Sequence, residues 1–255
     1  GRFEADISTE SGSTETKSFG AIVQASGFKP YDANQLPEYS YGKNKDVVTQ
    51  AELELLAIEA NGGAIKRPSD GKEAKNVAFI QCAGSRDRNH LKHCSRICCM
   101  ASLKQSTYVS EKFSDDADVT IYYIDMRAID RFDNFYQKVQ DNPNVKFIKS
   151  KVANIVENKE NGNPVCKGVD TEGYNRYAAE HDLVVLAIGM EPSVDKDTFP
   201  IEIKVNDEGF IEHDEVNGGV FAAGCSSDAL DVNRAVQSAT ASALIELANW
   251  AMANA

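Results

Sequence analysis

Four of the six cysteines in the chain lie within 18 residues, with the spacing C-x11-C-x3-C-C. The first ends a predicted buried strand over residues 77–81, and the others fall at the start of a predicted helix over residues 95–112. On a helix, residues four apart share a face and adjacent residues are rotated by about 100°. Four thiols can therefore converge on one point beside the helix N-terminus. They belong to Cys82, Cys94, Cys98 and Cys99.

The surroundings of these thiols favour a metal or cluster site over a hydrophobic core. The positive end of the helix dipole favours thiolates and an anionic cluster. Four cysteines at this density suit an iron-sulfur cluster or a tetrahedral zinc ion, and the spacing does not separate the two. Further positive charge comes from Arg86, Lys92, His93 and Arg96.

Other roles for this segment are less well supported. A nucleotide-binding βαβ unit would place a G-x-G-x-x-G loop after the strand and Asp125 on a ribose hydroxyl, but only Gly84 is present there. An NAD(P)H-dependent thiol or disulfide oxidoreductase is the second hypothesis, although the chain has no C-x-x-C pair. A structural zinc module is the third. The isolated Cys166 is predicted to be a small buried hydrophobe.

Composition narrows the class of protein and its partners. The chain has 255 residues, 42% of them hydrophobic, and a formal charge of -12. The longest apolar run, residues 183–190, is far shorter than the roughly 20 residues of a membrane span, so no direct membrane insertion is expected. The acidic balance argues against nucleic acid as a partner. With no signal peptide, the predicted location is cytoplasmic, and disulfides are disfavoured.

Strands and helices alternate through the middle of the chain, which predicts a parallel sheet with right-handed crossovers. One pattern occurs twice: an apolar strand, a glycine, two residues and a proline, at residues 21–30 and again at 183–192. Thr49 and Glu52 have the form of a capping box that begins a helix. A Gly- and Lys-rich connector at 62–71 is the best boundary candidate, and a long helix is predicted from Val232 to Met252.

The cysteine segment resembles a known family. Residues 79–87 and 93–100 are similar to the motif of the A-type subunits of heterodisulfide reductases, and the similarity covers nearly the whole chain. Within that family, residues 89–91 and 101–105 most resemble the A and B subunits of the quinone-interacting membrane-bound oxidoreductase complex. The resemblance implies an α/β, thioredoxin-reductase-like flavoprotein with two dinucleotide domains. The predicted divisions are 1–70, part of an FAD domain; 71–189, an inserted Rossmann-like domain; and 190–255, the returning FAD-domain segment.

The same resemblance implies cofactors and the residues that hold them. The four clustered cysteines would ligate a 4Fe-4S cluster close to the flavin. Residues 219–224 resemble the second FAD motif, where most such flavoproteins have an Asp after the glycine and this chain has Cys225. Lys104 is predicted to tune the flavin or to be a solvated surface lysine. The residues predicted to contact FAD are Gly27, Pro30, Gly189, Gly224, Cys225, Asp231 and Val232.

The family's first FAD motif, an N-terminal G-x-G-x-x-G, is not found in this chain. Weak or no FAD binding is therefore expected for these 255 residues alone. The implied function is electron transfer between FAD, the cluster and other subunits of a redox complex. A membrane quinone-reactive subunit is one implied partner, which would bring the protein to the inner face of the membrane. A homodimer is also allowed.

Overall fold

The structure is a computed structural model that describes residues 3–212 and 219–253. The chain divides into two compact units, one of Gly1–Pro30 with Met190–Ala255 and one of Tyr31–Gly189. Arg2, with which the first predicted strand begins, lies outside the described residues.

The described strands and helices follow in chain order. The strands are β1 (Phe3–Ser8), β2 (Thr14–Phe19), β3 (Ile22–Gln24), β4 (Phe28–Pro30), β5 (Val47–Thr49), β6 (Asn76–Ala83), β7 (Asp118–Tyr123), β8 (Val145–Lys149), β9 (Asn154–Glu157), β10 (Pro164–Asp170), β11 (Asn175–Glu180), β12 (Leu183–Ile188), β13 (Met190–Pro192) and β14 (Val220–Ala222). The α-helices are α1 (Gln50–Ala60), α2 (Cys98–Phe113), α3 (Asp133–Gln140) and α4 (Val232–Ala253).

A five-stranded parallel sheet forms the centre of the unit Tyr31–Gly189. Its strand order is β5-β12-β6-β7-β8, and every pair in it is parallel. Strands β6 and β12 are buried along almost their whole length, as expected for a sheet covered on both faces. One face packs with Leu53 of α1 and Leu103 of α2, and the other with Tyr31 and Leu36. The carboxyl ends of β6 and β7 lie side by side at one edge of this sheet.

Helix α1 begins as the sequence predicts. The Thr49 hydroxyl accepts from the backbone N–H of Glu52, and the Glu52 carboxylate accepts from that of Thr49, at 2.7 Å. This capping box satisfies N–H groups that a helix end otherwise leaves unpaired. It directs the helix onto the parallel sheet directly after β5.

An antiparallel sheet of order β11-β10-β9 contributes to the second core face of the same unit. Cys166 of β10 is fully buried beside Ile155, and burial raises the pKa of its thiol to about 12. The prediction that Cys166 is a buried hydrophobe is confirmed.

The proline-containing ends of the two copies of the strand-glycine-proline pattern pair with each other in the other unit. Strand β4 pairs antiparallel with β13, so that Pro30 lies opposite Met190 and Phe28 opposite Pro192. Strand β3 pairs in parallel with β14, the strand before Gly224. The repeated pattern therefore marks a paired set of strands at the two points where the chain passes between units.

One predicted boundary differs from the division of the structure. Residues 31–70 were assigned by sequence to a partial FAD domain, but they belong to the unit Tyr31–Gly189. The reason is pairing and packing, because β5 hydrogen-bonds to β12 and Leu53 of α1 lies in the sheet's core. The Gly-rich connector at 62–71 is thus internal to that unit. Among the described residues, none of the helices has the length and apolarity needed to cross a bilayer.

A buried ion pair holds that connector in place. Arg67 donates to Asp46 from Nη2 at 2.7 Å, and both side chains are almost fully buried. The Ser69 hydroxyl and backbone N–H complete the carboxylate's hydrogen bonds. We expect Asp46→Ala to lower the free energy of unfolding by up to about 3–5 kcal/mol, since it leaves the buried guanidinium only the longer contacts to Asp70 and Asp182. Urea denaturation followed by circular dichroism measures the loss.

The exposed pair of Lys146 and Asp118 is the matched control. Asp118→Ala should change the free energy by less than about 1 kcal/mol, because solvent screens such pairs. Equal losses in the two variants would contradict a structural role for Asp46.

His181 predicts how stability depends on pH. Burial lowers its pKa from 6.5 to about 4. Its Nδ1 lies 2.7 Å from the Asn76 Oδ1, and its Nε2 lies 3.2 Å from the Tyr122 hydroxyl. The unfolded chain takes up a proton near pH 6.5, whereas the folded chain resists it. Stability is therefore fully present above about pH 6.5 and falls by roughly 3 kcal/mol as the pH drops to about 4.

The measurement is urea denaturation at a series of pH values. We expect His181→Asn to lose much of the slope between pH 6.5 and 4. A variant with the same slope as the unchanged chain would show that other groups produce it.

Candidate functional site

The four clustered cysteines line one small cavity at the carboxyl end of β6. Cys82 is part of β6, Cys94 lies in the connecting loop, and Cys98 and Cys99 are the first two residues of α2. Three of the thiol residues are buried and Cys94 is partly exposed. Asp125, which follows β7, and Arg127 also line the cavity. The structure thus brings together the four thiols that the sequence predicts to converge, and their role as metal ligands stays a prediction.

The start of helix α2 corrects the predicted geometry. The sequence places Cys94 on the helix, one turn before Cys98, but the helix begins at Cys98. Arg96 has a left-handed backbone with φ of 63°, which an α-helix of L-residues does not accommodate. Cys94 is therefore held by the loop and not by a shared helix face. Its Sγ accepts from the backbone N–H of Arg96 at 3.4 Å.

The loop between Cys82 and Cys94 turns back on itself through left-handed residues. Besides Arg96, φ is 58° at Cys82, 73° at Gly84 and 55° at Arg86. Backbone hydrogen bonds tie the two arms together, from Arg86 to the His93 carbonyl at 3.1 Å and from Leu91 to the Gly84 carbonyl at 3.0 Å. Left-handed backbone at non-glycine residues persists only where the surroundings fix it, and such residues cluster at functional sites.

Two glycines permit close packing of this loop. A Cβ on Gly84 would lie 2.6 Å from the Tyr31 ring, and the Tyr31 hydroxyl in turn lies 2.7 Å from the His90 Nδ1. A Cβ on Gly189 would lie 2.5 Å from the Ser85 Oγ and 2.6 Å from Leu91. Gly189 thus contacts the cysteine loop, whereas the sequence predicted it at the flavin. Tyr31 was missed by sequence reasoning, because nothing in its neighbours connects it with residues 84–90.

The thiols themselves are in an environment that disfavours their charge. Burial raises the pKa of Cys82, raises that of Cys98 strongly and raises that of Cys99 to about 11. Negative charge on any of the neighbouring cysteines raises the pKa of Cys98 further. The sequence predicted the opposite, that the helix end and basic residues favour thiolates. The effect of burial on these pKa values is larger than that of the helix end and the basic residues. Four adjacent thiolates would repel one another, so they need a cation among them.

Two of the three arginines that line the cavity form ion pairs with a carboxylate. Arg86 forms an ion pair with Asp125, and the Arg127 Nε lies 3.5 Å from the same carboxylate. Asp125, a predicted ribose ligand under the nucleotide hypothesis, is thus paired with arginine. Arg96 lines the cavity, and its buried Nη1 has no hydrogen-bond partner among the residues that the structure describes.

The size of the cavity and its four thiols can be compared with what a metal ion or an iron-sulfur cluster needs. No three His, Cys, Asp or Glu residues in the described ranges are placed for a single metal ion. The cavity volume is about 10 Å³, which is room for about one water. The donor set fits a cubane cluster, because four thiolates are its usual ligands and each binds a different iron. Since the cavity has room for about one water, binding such a cluster requires the cavity to widen.

The predicted flavin residues of the smaller unit form a turn before α4. Gly224 has φ of 61°, and its N–H donates to the Ser238 Oγ at 3.2 Å. The Cys225 Sγ donates to the Leu230 carbonyl at 3.4 Å. Asp231 caps α4, since its Oδ1 accepts from the Arg234 N–H at 3.0 Å. Val232, the first residue of α4, is 81% exposed.

The remaining predicted residues have partners of their own. Gly27, with φ of 76°, donates from its N–H to the Ser226 Oγ at 3.3 Å. Pro30 is the last residue of β4. The Lys104 Nζ lies 3.5 Å from Glu54 and 5.3 Å from the Tyr108 ring centroid, on an exposed face of α2. Its predicted flavin role stays a prediction.

Similarity to solved structures defines the class of fold. The thioredoxin reductase of T. acidophilum matches 97% of this chain and 73% of its own, with a TM-score of 0.56 and 15% sequence identity. The fold is therefore thioredoxin-reductase-like, α/β with a five-stranded parallel sheet, as a fragment of a two-dinucleotide-domain protein. This confirms the predicted fold class.

Sequence relatives give the family. The second iron-sulfur A-type subunit of the CoB–CoM heterodisulfide reductase of Methanopyrus kandleri is 35% identical over 88% of this chain. The A-type subunit of the ferredoxin:CoB–CoM heterodisulfide reductase of Methanosarcina mazei is 37% identical over 89%. Over most of its length the chain is homologous to a segment of heterodisulfide reductase A-type subunits. It spans 36% and 30% of the lengths of these relatives. No protein-family model matches it.

The contact at Gly189 generates a prediction. Gly189→Ala should displace the Ser85 and Leu91 side chains, because both lie within 2.6 Å of the added Cβ, and overpacking of this kind costs roughly 1–3 kcal/mol. We expect faster alkylation of the cavity thiols by iodoacetamide, measured by mass spectrometry. Gly20→Ala is the control, since the nearest atom to its Cβ is 3.8 Å away. Equal alkylation rates in the two variants would contradict the role of Gly189.

Proposed function

We propose that this chain is part of an electron-transfer oxidoreductase subunit in which Cys82, Cys94, Cys98 and Cys99 hold a 4Fe-4S cluster. The supporting observation is that all four thiols line one cavity, although eleven residues separate Cys82 from Cys94 in the sequence. A cluster of this kind accepts and releases single electrons when bound. Here the chain's own residues supply the thiolates and a dry setting beside the parallel sheet.

The acid-base state of the thiols favours a cluster over a redox disulfide. All six cysteines are free, and Cys98 and Cys99 are adjacent at the first turn of α2. A disulfide mechanism needs one thiol with a lowered pKa, whereas the pKa of each of Cys82, Cys98 and Cys99 is raised. Cationic iron compensates for thiolate charge that burial otherwise penalises.

FAD is the second proposed cofactor, at the turn around Gly224 in the smaller unit. The N-terminus of α4 begins at Val232, and a helix N-terminus stabilises negative charge such as that of a reduced flavin. Asp231 already caps this helix through one carboxylate oxygen. The thioredoxin-reductase-like fold supports a flavin role for the unit, and Cys225 occupies the position that is usually Asp in such flavoproteins.

The proposed partners are the other subunits of a multi-subunit redox complex. The relatives are named as subunits of heterodisulfide reductases. Residues 89–91 and 101–105 most resemble subunits of the quinone-interacting membrane-bound oxidoreductase complex. That the chain is part of such a complex stays a prediction. A cytoplasmic location, a quinone-reactive membrane partner and a homodimer stay predictions as well.

Cysteine substitutions test the cluster. Iron and acid-labile sulfide, measured after anaerobic purification, should each fall at least several-fold in Cys98→Ala, because a cluster ligand is lost. Cys166→Ala is the matched control, since it also removes a buried cysteine, one that lies outside the cavity. One zinc per chain and no sulfide would support the structural-zinc hypothesis. Equal iron in both variants would contradict the ligand assignment.

A further inference from the structure

Arg96 is a charged residue at the cysteine cavity, and one nitrogen of its guanidinium has no hydrogen-bond partner in the described structure. Arg96 lines the cavity together with the four thiols. Its Nη1 is buried and donates to nothing among the described residues. A buried polar atom without a partner costs about 1–3 kcal/mol, and more when the group is charged. Such an atom beside a ligand set indicates an acceptor belonging to the ligand.

The backbone at Arg96 also points to a function. Its φ of 63° ends the loop and delays the start of α2 until Cys98. This left-handed conformation is strained for arginine, by roughly 1–2 kcal/mol. A Gly or Asn at this position would avoid the strain. The conformation sets the Arg96 N–H against the Cys94 Sγ at 3.4 Å while the side chain reaches the same cavity.

The other cationic groups at the cavity differ from Arg96. Arg86 and Arg127 both face Asp125, whose single carboxylate offsets the charge of one guanidinium. Arg96 forms no ion pair among the described salt bridges. Its guanidinium is therefore the cation at the cavity with no carboxylate beside it in the described structure. Gln81, buried in β6 directly before Cys82, likewise has no hydrogen-bond partner for its side-chain amide in the described part of the chain.

We propose that Arg96 is a tuning residue for the cluster, whose guanidinium donates a hydrogen bond to a cluster or thiolate sulfur and raises its reduction potential. This rests on the proposed function. Reduction adds one negative charge to the cluster, and a nearby uncompensated cation stabilises the reduced form more than the oxidised form. Hydrogen bonds to sulfur act in the same direction, since they withdraw charge from the iron.

Arg96→Met tests the proposal, because methionine keeps an unbranched side chain and removes both the charge and the donors. The full chain is purified anaerobically, and its one-electron midpoint potential is determined by a redox titration followed by EPR. We expect the equilibrium constant for reduction to fall at least tenfold, which is 59 mV for one electron. The midpoint potential of Arg96→Lys, which keeps the charge without the planar guanidinium, should lie between those of the unsubstituted chain and Arg96→Met.

Arg88→Met is the matched control. It removes the same charge from the same loop, but Arg88 is exposed and does not line the cavity. The change in midpoint potential in Arg88→Met should be much smaller than in Arg96→Met, because solvent screens the charge of Arg88. An unchanged potential in Arg96→Met, or equal shifts in the two Met variants, would overturn the proposal.

Cluster content separates this proposal from the proposed function. Iron and sulfide are measured in every sample before titration. An unsubstituted chain without sulfide overturns the proposed function and this inference together, whereas a loaded chain with an unshifted Arg96→Met overturns only the inference. Loss of the cluster in Arg96→Met with retention in Arg96→Lys supports a charge contact. Loss in both Arg96 variants, with Arg88→Met loaded, would make Arg96 a structural residue and overturn its tuning role.

Discussion

The site depends on how closely the loop between β6 and α2 is packed. That loop must return Cys94 to within reach of Cys82, and it does so under the tight contacts at Gly84 and Gly189. A Cβ would meet the Tyr31 ring at Gly84 and the Ser85 and Leu91 side chains at Gly189, so each glycine lets side chains pack directly against the backbone. The parallel sheet supplies both fixed points, because β6 precedes the loop and β12 ends directly before Gly189.

Burial and charge at the four thiols act against each other, and the balance explains the chemistry proposed for them. The sheet and α2 exclude water from Cys82, Cys98 and Cys99, which raises the pKa of each thiol. A buried set of neutral thiols would be inert. Iron bound among them would make the thiolate form favourable, and the burial that opposes free thiolates would then exclude water from the proposed cluster. Arg96 then adds positive charge at the one place where no carboxylate cancels it in the described structure.

Much of this organisation could be predicted from the sequence, and the failures have physical causes. The alternation of strands and helices and the capping box at Thr49 are local patterns, and both identified the right elements. The cysteine spacing is local as well, and the four thiols that it predicts to converge line one cavity in the structure. The start of α2 was placed too early because a left-handed Arg96 leaves no signal in residue type. The contacts of Tyr31 and Gly189 with the loop join residues far apart in sequence, and hydrophobic periodicity carries no information about them.

The central claim is that the four converging thiols bind a 4Fe-4S cluster, and native mass spectrometry of the anaerobically purified chain tests it most directly. The account predicts one chain carrying the added mass of four irons and four sulfides, lost on exposure to oxygen and a chelator. A chain carrying a single zinc ion, or a metal-free chain whose mass shows a disulfide among these four cysteines, would contradict it.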